Sequence, residues 1–423
     1  MAVNENLFLY DLAIVAIFKN EGHYIKEWLD YHLLAGVDHF YLYDNESNDD
    51  YKEIIAPYVK AGLVTVKYFP GESMQFAVYD DAVLNYRFHC RYMAFVDLDE
   101  FIFPKNTTGT ISATLDGILK HFPDAAGVAV NWQLFGSDGQ ETADYSRGVL
   151  ERFTKRAPVD WVVPIPNRDI PGGNAQVKTI ANPRRVYFFT STHFPIYYEG
   201  CNAVNEIGGV VPNYCNEPVT AEKIAINHYN VKSREEHRKK ISRGRAGKQS
   251  TYLDSTWFDM YDRNEEFDDG ILNYRDARAD KFSLEGNGEK FNRVLETLTK
   301  ILSAYVSETT PREFFIGKME TALTCRAVST YLRERFPHNQ RLKIYEEASL
   351  AAILKSLDGI KLSDTRLLIS ELPELLSLPY PVVKDLRDVT IQIISRTMDF
   401  MRQNEFWKDF SDLDHLRRLL KNF

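Results

Sequence analysis

Three carboxylates stand within four residues at the end of an apolar run. Residues 92–96 have the length and composition of a buried strand, and Asp97, Asp99 and Glu100 follow at once. Like charges this close repel each other and are costly to desolvate. A divalent cation offsets that cost, because carboxylate oxygen is the preferred ligand of Mg²⁺ and Mn²⁺. We therefore predict that Asp97 and Asp99 belong to a metal site at a strand end. A solvated acidic turn is the alternative interpretation.

Two further polar clusters also follow apolar runs of strand length. They are Lys19, Asn20 and Glu21 after residues 11–18, and Asp44 and Asn45 after residues 39–43. Right-handed crossovers bring the carboxyl ends of parallel strands to one edge of a sheet, where ligands bind. We therefore expect both clusters to lie near the carboxylates. For each cluster alone, a capping or turn role is equally open.

The first hundred residues alternate between strand and helix patterns. The predicted strands are residues 11–18, 39–43, 63–69, 92–96 and 127–132, with helical patterns after each of the first three. This alternation is typical of an α/β fold with a mostly parallel sheet flanked by helices. Residues 140–225 are rich in Pro, Gly and Asn, and long irregular stretches of this kind are often binding loops. We expect a substrate-binding site in this stretch.

A basic helix is predicted directly after a strand-like run that ends in a histidine. The run covers residues 224–229, and Ser233 with Glu236 forms a capping-box pattern that opens the helix. The cations of this region are Lys232, Lys240 and Arg243. Such a face could neutralise a diphosphate. A solvated charged helix is an equally open interpretation.

The second half of the chain has a different character. We predict an α/β domain over residues 1–250, a connecting segment over 251–289 and an all-helical C-terminal domain over 290–423. The predicted helices of the last part are residues 291–306, 311–336, 339–357, 364–375, 381–404 and 411–421. The last of them is basic and amphipathic, so peripheral membrane contact is one role for it, although a packed terminal helix is favoured.

Composition excludes several classes of protein. The chain of 423 residues has the size of two or three domains. A formal net charge of −9 argues against a nucleic-acid binder. Four cysteines without a Cys-x-x-Cys pair argue against a disulfide framework and a structural zinc site. No apolar stretch has bilayer-spanning length and no signal-peptide pattern opens the chain. We therefore expect a cytoplasmic protein, with a peripheral position at the inner face of the membrane as the alternative.

Several distinct motifs follow one another along residues 10–245. They are Ile17-Phe-Lys-Asn-Glu21, Glu27-Trp28, Tyr31-His32, Tyr43-Asp-Asn-Glu-Ser-Asn-Asp49, Phe95-Val-Asp-Leu-Asp-Glu-Phe101, Phe135-Gly-Ser137, Glu151-Arg-Phe153 and His228-Tyr-x-x-Lys-Ser233. Together they resemble glycosyltransferase family 92, a DUF23-related group of GT-A enzymes near family 2. The resemblance does not extend to the C-terminal helices.

The resemblance implies a GT-A fold and a metal-dependent, inverting transfer of a sugar, with galactose from UDP-galactose the favoured donor group. It assigns donor binding to Lys19, Asn20, Glu21, Asp44, Asn45, Asp97, Lys232, Lys240 and Arg243. It assigns Mn²⁺ or Mg²⁺ to Asp97, Asp99 and His228. The acceptor would be a glycan or glycolipid, and the absence of an anchor fits bacterial surface-polysaccharide assembly.

An inverting transfer needs one general base to deprotonate the acceptor hydroxyl. Asp138 is one candidate because it stands at a predicted strand end, and Glu151 is the other. Two hypotheses of another kind stay open. The domain could be a degenerate nucleotide-sugar-binding scaffold whose helical region recruits partners. A nucleotidyltransferase ranks last, because such enzymes usually carry a Gly-rich phosphate loop after the first strand.

Overall fold

The computed structural model describes seven stretches of the chain. They are residues 4–106, 108–164, 171–198, 200–243, 255–284, 287–307 and 315–357. Close contacts divide the chain into two compact units. The sheet unit comprises Tyr10–Val83 and Cys90–Asn287. The helical unit comprises Met1–Leu9, Leu84–His89 and Gly288–Phe423.

Strands and helices alternate in the first part of the chain, and short strands follow. The longer strands are β1 Tyr10–Phe18, β2 His39–Asp44, β3 Val64–Tyr68, β4 Cys90–Phe95, β5 Glu100–Pro104 and β6 Gly127–Leu134. The later strands are β7 Lys155–Arg156, β8 Val162–Val163, β9 Gly172–Gly173, β10 Val177–Ala181, β11 Val186–Phe189, β12 Pro195–Tyr197, β13 Ala203–Val204, β14 Val210–Val211, β15 Ile224–His228 and β16 Glu266–Phe267. The α-helices are α1 Gly22–Leu34, α2 Tyr51–Lys60, α3 Gln75–Tyr86, α4 Ile111–Leu119, α5 Val149–Arg152, α6 Arg234–Arg243, α7 Ser255–Tyr261, α8 Gly270–Ala277, α9 Gly288–Ser307, α10 Phe315–Arg335 and α11 Gln340–Leu357. Three 3-10 helices of the described residues cover Glu5–Leu7, Pro183–Arg185 and Ala279–Lys281.

Ten of the described strands form a central sheet, in which eight follow the order β14-β13-β6-β10-β4-β1-β2-β3 and β15 pairs with both β6 and β5 beside this path. Strands β1 to β4 pair in parallel, with Phe18 opposite Asp44 and Val15 opposite Phe95. Strands β1, β2 and β4 are largely apolar and buried, as expected for a parallel sheet whose two faces are both covered. The predicted α/β class is confirmed. The carboxyl ends of β1, β2 and β4 meet at one edge, as the strand–helix alternation predicted.

Strand β10 lies in the middle of the sheet and was not predicted. It pairs antiparallel with β4 on one side and with β6 on the other. Its five residues lie in a region that we interpreted as loop-rich, where Pro and Gly interrupt every longer pattern. Lys178 and Thr179 interrupt its apolar residues, so the segment has no continuous apolar run. Its place in the sheet is fixed by distant partners.

Helix α1 supports strand β5 through side chains that bond to its backbone. The indole N–H of Trp28 donates to the carbonyl of Glu100 at 2.8 Å, and the Tyr31 hydroxyl donates to the carbonyl of Ile102 at 3.0 Å. His32 Nε2 accepts the amide of Ile102 at 3.2 Å. Strand β5 pairs with β15 on its other edge. The Glu27-Trp28 and Tyr31-His32 motifs therefore belong to the support of the strand that follows the carboxylates.

Residues 251–289, interpreted as a connection, include helices α7 and α8 in their described part. Phe258, Tyr261, Ile271 and Tyr274 belong to the same buried apolar cluster as the strands of the sheet. This segment, through Asn287, accordingly belongs to the sheet unit. The domain boundaries at 250 and 290 stay predictions.

The helical unit contains α9, α10 and α11, near the predicted ranges. Arg326 and Arg333 pair with the carboxylate of Glu346 at 3.2 and 3.0 Å and link α10 to α11. No helix of the described residues has the length and apolarity needed to cross a bilayer. The predicted helices over 364–375, 381–404 and 411–421, and the basic amphipathic segment with them, lie outside the described residues.

Candidate active site

The carboxylates lie in the tight turn between β4 and β5, beside the end of β15. Strand β15 pairs antiparallel with β5, so that His228 lies opposite Glu100. The amide of Tyr229 donates to the carbonyl of Asp99 at 2.8 Å and holds the turn against β15. His228 Nε2 consequently lies 3.5 Å from Asp99 Oδ1. The structure thus brings together two of the three residues predicted to bind metal.

Helix α6 brings a lysine to the other oxygen of Asp99. Lys240 Nζ lies 2.5 Å from Asp99 Oδ2 and donates to the carbonyl of Asn230 at 3.0 Å. Burial alone would raise the pKa of Asp99, but Lys240 and His228 hold that pKa well below its ordinary value. Asp99 is therefore a buried carboxylate that stays ionised. Lys240, which the sequence assigned to diphosphate binding, serves as its counter-ion in this structure.

Asp97 has different partners. Gln75 Nε2 donates to Asp97 Oδ1 at 2.7 Å, and Lys178 Nζ donates to Asp97 Oδ2 at 3.0 Å. The same ammonium lies 3.3 Å from Glu100 Oε2, which also accepts the Asp97 amide at 2.8 Å. Burial would lower the pKa of Lys178, but Asp97 and Glu100 hold it well above its ordinary value. Burial raises the pKa of Glu100 to about 8, with Lys178 opposing.

Lys178 is the charged residue that sequence reasoning missed. It lies on β10, and only 1% of its side chain is exposed. The signal in the sequence was a single lysine in residues 177–181, whose other side chains are three apolar ones and a threonine. A lysine buried among such residues is rare unless its charge is paired. Without the position of β10 next to β4, nothing in the sequence names its partners.

Lys232 lies close to both the carboxylate turn and the residues that follow β1. It is buried, adopts a φ of 51°, and places its Nζ 4.6 Å from the ring centroid of Tyr24. Burial lowers the pKa of Lys232, while the nearby carboxylates of Asp99 and Glu21 oppose that shift. Lys232 is therefore a neighbour of both Asp99 and Glu21, and donor binding by Lys232 and Glu21 stays a prediction. Arg243 is the last residue of α6, and its side chain lies outside the described part of the structure.

Helix α6 is held in place by a buried ion pair. Arg152 donates to Glu236 through both terminal nitrogens, at 2.9 and 2.7 Å. Glu236 also accepts the Ser233 amide and the Tyr24 hydroxyl, so the predicted capping box forms. Burial would raise the pKa of Glu236, but the hydrogen bonds from Arg152 and Ser233 lower it to about 2. These contacts fix the start of the helix that carries Lys240.

The polar cluster after β1 joins the loop that follows β2. Lys19 Nζ lies 3.8 Å from a carboxylate oxygen of Glu46. Asn20 has a φ of 54°, donates its amide to Ser47 Oγ at 3.0 Å and accepts the Asn48 amide at 2.8 Å. These bonds shape the edge of the sheet. Donor binding by Lys19 and Asn20 stays a prediction.

The cluster after β2 is also bonded internally. Asp44 accepts the Ser47 amide at 2.8 Å and the Tyr51 hydroxyl at 2.7 Å, and its side chain is buried. Asn45 Nδ2 donates to the carbonyl of Phe69 at 2.9 Å. Both side chains therefore organise the loop between β2 and α2. Contact with a nucleoside, as predicted for Asp44 and Asn45, is additional to this structural role and stays a prediction.

The two predicted general bases have partners away from the carboxylate turn. Asp138 accepts the Thr154 hydroxyl at 3.0 Å and the Lys155 amide at 2.9 Å, which ties the end of β6 to β7. Glu151 is exposed and pairs with Arg275 at 3.1 Å. Neither carboxylate forms a described hydrogen bond or ion pair with the turn. Their catalytic role stays a prediction.

The residues around Asp99 suit a divalent cation that shares a bound diphosphate. Within the described residues no three His, Cys, Asp or Glu side chains are grouped to hold a metal alone, because Asp97 bonds to Gln75 and Lys178. Mg²⁺ sites commonly use one or two protein ligands with water and phosphate oxygens completing the shell. Asp99 and His228 provide such a pair. Burial lowers the pKa of His228, which favours the neutral ring, and its Nδ1 has no described hydrogen-bond partner.

Comparison with known families decides the class of the protein. The model of glycosyltransferase family 92 matches residues 14–269, more than half of the chain. The chain belongs to glycosyltransferase family 92. Residues 14–269 therefore carry the sequence of a glycosyltransferase family 92 domain, and the observed mostly parallel sheet agrees with the GT-A fold expected from the motifs.

Three plant proteins are similar to parts of this chain. The family 92 protein RCOM_0530710 of Ricinus communis is 31% identical over 93 residues, which is 22% of this chain and 17% of that protein. Os08g0121900 of Oryza sativa subsp. japonica is 26% identical over 152 residues, 35% of this chain and 25% of that protein. The galactan β-1,4-galactosyltransferase GALS2 of Arabidopsis thaliana is 32% identical over 104 residues, 22% of this chain and 20% of that protein. The matches thus span a quarter or less of these relatives.

Proposed function

We propose that this family 92 protein transfers galactose from UDP-galactose to a glycan or glycolipid acceptor, with inversion at the anomeric carbon and with Mn²⁺ or Mg²⁺ as cofactor. The observation that carries the proposal is the meeting of Asp99, His228, Lys232 and Lys240 at the carboxyl edge of the sheet. Relatives named as galactan β-1,4-galactosyltransferases support galactose as the transferred sugar. Assembly of a bacterial surface polysaccharide stays a hypothesis.

Each charged residue has a task in this reaction. Asp99 and His228 would hold the cation, and Asp97 would join them only by releasing Gln75 or Lys178. A bound divalent cation would neutralise the diphosphate and stabilise the charge that develops on departing UDP. Lys232 and Lys240 would donate charge-assisted hydrogen bonds to the same oxygens. A general base takes the acceptor proton as the acceptor oxygen attacks the anomeric carbon.

Donor calorimetry tests the proposal. UDP-galactose, UDP-glucose and UDP-N-acetylglucosamine are titrated with and without Mn²⁺ into the wild type, Asp99→Asn and the control Asp124→Asn, which changes an exposed carboxylate. We expect metal-dependent binding of UDP-galactose that Asp99→Asn abolishes and Asp124→Asn retains. Metal-independent binding would refute the metal role, and failure of all three donors would refute the UDP-sugar donor.

Turnover separates the enzyme from the scaffold alternative. With β-1,4-galactotetraose as acceptor, release of UDP should require both substrates. Replacement of the true base, in Asp138→Asn or Glu151→Gln, should lower kcat by about 10²- to 10⁴-fold while the donor Kd stays unchanged. Donor binding without any transfer, under conditions where the metal is bound, would favour the degenerate scaffold.

A further inference from the structure

A cluster of aromatic side chains, which we name the aromatic platform, lies at the carboxyl edge of the sheet and takes no part in the reaction proposed above. It consists of His23, Tyr24 and Tyr145. The rings of His23 and Tyr145 stack face to face, with centroids 4.0 Å apart and planes 13° apart. Tyr24 meets Tyr145 edge-on at 6.1 Å. His23 is exposed and Tyr145 is 38% exposed, so part of the stacked pair lies open to solvent. Lys239 Nζ lies 5.3 Å from the centroid of the Tyr145 ring and donates to its hydroxyl at 3.4 Å.

Both parts of the platform come from segments that lead away from strand ends. His23 and Tyr24 lie in the first turn of α1, which follows β1, and Tyr145 lies in the loop after β6. That loop is held in place, since the Ala143 amide donates to the carboxylate of Glu235 at 2.9 Å. Two sequence-distant rings are thus fixed against each other at the sheet edge where ligands of α/β proteins bind.

The platform is continuous with the charged site through Tyr24. The ring of Tyr24 carries Lys232 Nζ at 4.6 Å, and its hydroxyl donates to Glu236 at 2.9 Å. Lys232 in turn is an electrostatic neighbour of Asp99. A path of neighbouring side chains therefore leads from the open rings to the carboxylate that would hold the cation beside the donor's diphosphate.

The chemistry of the platform fits a neutral sugar ring. The C–H face of a pyranose is apolar and packs on an aromatic ring, while its hydroxyls reach polar groups at the rim. We propose that His23 and Tyr145 form an acceptor subsite that stacks a pyranose ring of the glycan next to the bound donor. This inference depends on the glycosyltransferase function proposed above. It assigns the platform to the acceptor. The nucleotide is left to the two polar clusters predicted to bind the donor, Lys19 to Glu21 and Asp44 with Asn45.

Binding of an acceptor probe without donor tests the subsite. β-1,4-Galactotetraose is titrated into the wild type, His23→Ala, Tyr145→Ala, Tyr145→Phe and the control Tyr68→Ala, which removes an exposed tyrosine elsewhere. Loss of a stacked ring should raise the Kd of the tetrasaccharide by roughly twofold to tenfold. Tyr145→Phe keeps the ring and should bind as the wild type does, as should Tyr68→Ala.

A parallel titration with UDP-galactose and Mn²⁺ separates the two proposals. We expect the alanine variants to bind the donor as tightly as the wild type. Weakened donor binding in Tyr145→Ala would assign the rings to the nucleotide and overturn the acceptor subsite. Unchanged tetrasaccharide affinity in the alanine variants, or no binding by the wild type, would also overturn it. Failure of the wild type to bind UDP-galactose would instead count against the proposed function.

Discussion

Asp97 and Asp99 are separated by one residue, yet each carboxylate has its own lysine. Lys178 comes from a strand of the sheet, and Lys240 comes from a helix beyond His228. The first lysine is 1% exposed and the second is 23% exposed at the side chain. Lys240, the more exposed of the two, is the lysine that we expect a ligand to draw away from its carboxylate. The buried one belongs to the framework of the turn.

Replacement of Lys240 should change metal and donor affinity in opposite directions. In Lys240→Met, Asp99 loses the ammonium at 2.5 Å, so we expect Mn²⁺ to bind more tightly in the absence of donor. Turnover should fall, because the leaving diphosphate loses a donor of charge-assisted hydrogen bonds. Electron paramagnetic resonance titration of Mn²⁺ measures the first effect and UDP release measures the second.

Arg238→Met is the matched control for Lys240→Met, because it removes an exposed cation from the same helix. It should leave both the Mn²⁺ affinity and the turnover near the wild-type values. Equal Mn²⁺ affinity in Lys240→Met and the wild type would show that Lys240 does not compete for Asp99.

Lys178→Met should destabilise the sheet unit. The substitution removes the hydrogen-bond donor that Asp97 shares with the buried Glu100, and leaving such acceptors without a partner costs about 1–3 kcal/mol. Denaturant unfolding followed by circular dichroism measures the loss. The double variant Lys178→Met with Glu100→Gln should recover part of it, because the side-chain amide keeps an acceptor for the Asp97 N–H without the charge. No recovery would mean that packing, rather than charge, accounts for the loss.

At the level of elements, helix α1 makes the turn sensitive to acid through His32. The imidazole is fully buried, and burial lowers its pKa to about 3 from 6.5. The unfolded chain therefore binds a proton that the folded chain does not. The stabilisation is present in full above pH 6.5 and is lost as the pH falls toward 3, by about 1.4 kcal/mol per pH unit.

The unfolding free energy of His32→Gln, measured from pH 7 to pH 4, should fall less steeply with acid than that of the wild type. The difference should correspond to about one proton. The exposed His121→Gln is the control and should keep the wild-type slope. Identical slopes for all three proteins would contradict the assignment to His32.

The ion pair between α5 and α6 should matter more than any surface pair. Arg152→Met removes the two bonds that hold Glu236 and should cost about 3–5 kcal/mol, because it leaves a buried carboxylate short of its cation. Arg147→Met, which changes an exposed arginine in the same segment, should change stability by less than about 0.5 kcal/mol. Thermal unfolding of the two variants decides this, and equal melting temperatures would refute it.

The strands that could be predicted are those with long apolar runs. Strands β1, β2 and β4 carry continuous hydrophobic sequence, and their polar ends could be placed at one edge by the handedness of crossovers. The pairing of Asp99 with His228 was anticipated through the family motifs. Strand β10 and Lys178 were not, because Lys178 and Thr179 interrupt the apolar residues of this strand and its pairing with β4 and β6 is not contained in local sequence.

At the scale of the whole molecule, the helical unit combines residues from the start of the chain with helices that come after residue 287. The 3-10 helix Glu5–Leu7 contacts α9 and α10, and the ring of His89 lies 5.4 Å from that of Tyr331. Leu7, Phe8 and Phe88 are buried. These segments therefore depend on helices that come much later in the chain.

A chain truncated after residue 287 should consequently expose apolar surface at its first residues and around Phe88. We expect it to bind a hydrophobic dye more strongly than the full chain and to aggregate at lower temperature. Light scattering during heating measures the second effect. A second truncation lacking residues 1–9 as well should aggregate less than the first, and the opposite order would contradict the dependence.

The place of β10 sets an order of events on the ribosome. Strand β4 has β1 as its neighbour on one side, but its other edge stays open until residues 177–181 have been translated. A nascent chain that has just released β6 therefore presents one unpaired edge of β4 and both edges of β6, because β10, β13 and β15 all come later in the chain. Such edges are templates for association with other chains. We expect chaperone binding and translational pausing to affect the yield of folded protein most while the stretch between β6 and β10 is translated, because the strand that joins β4 to β6 has not yet been made.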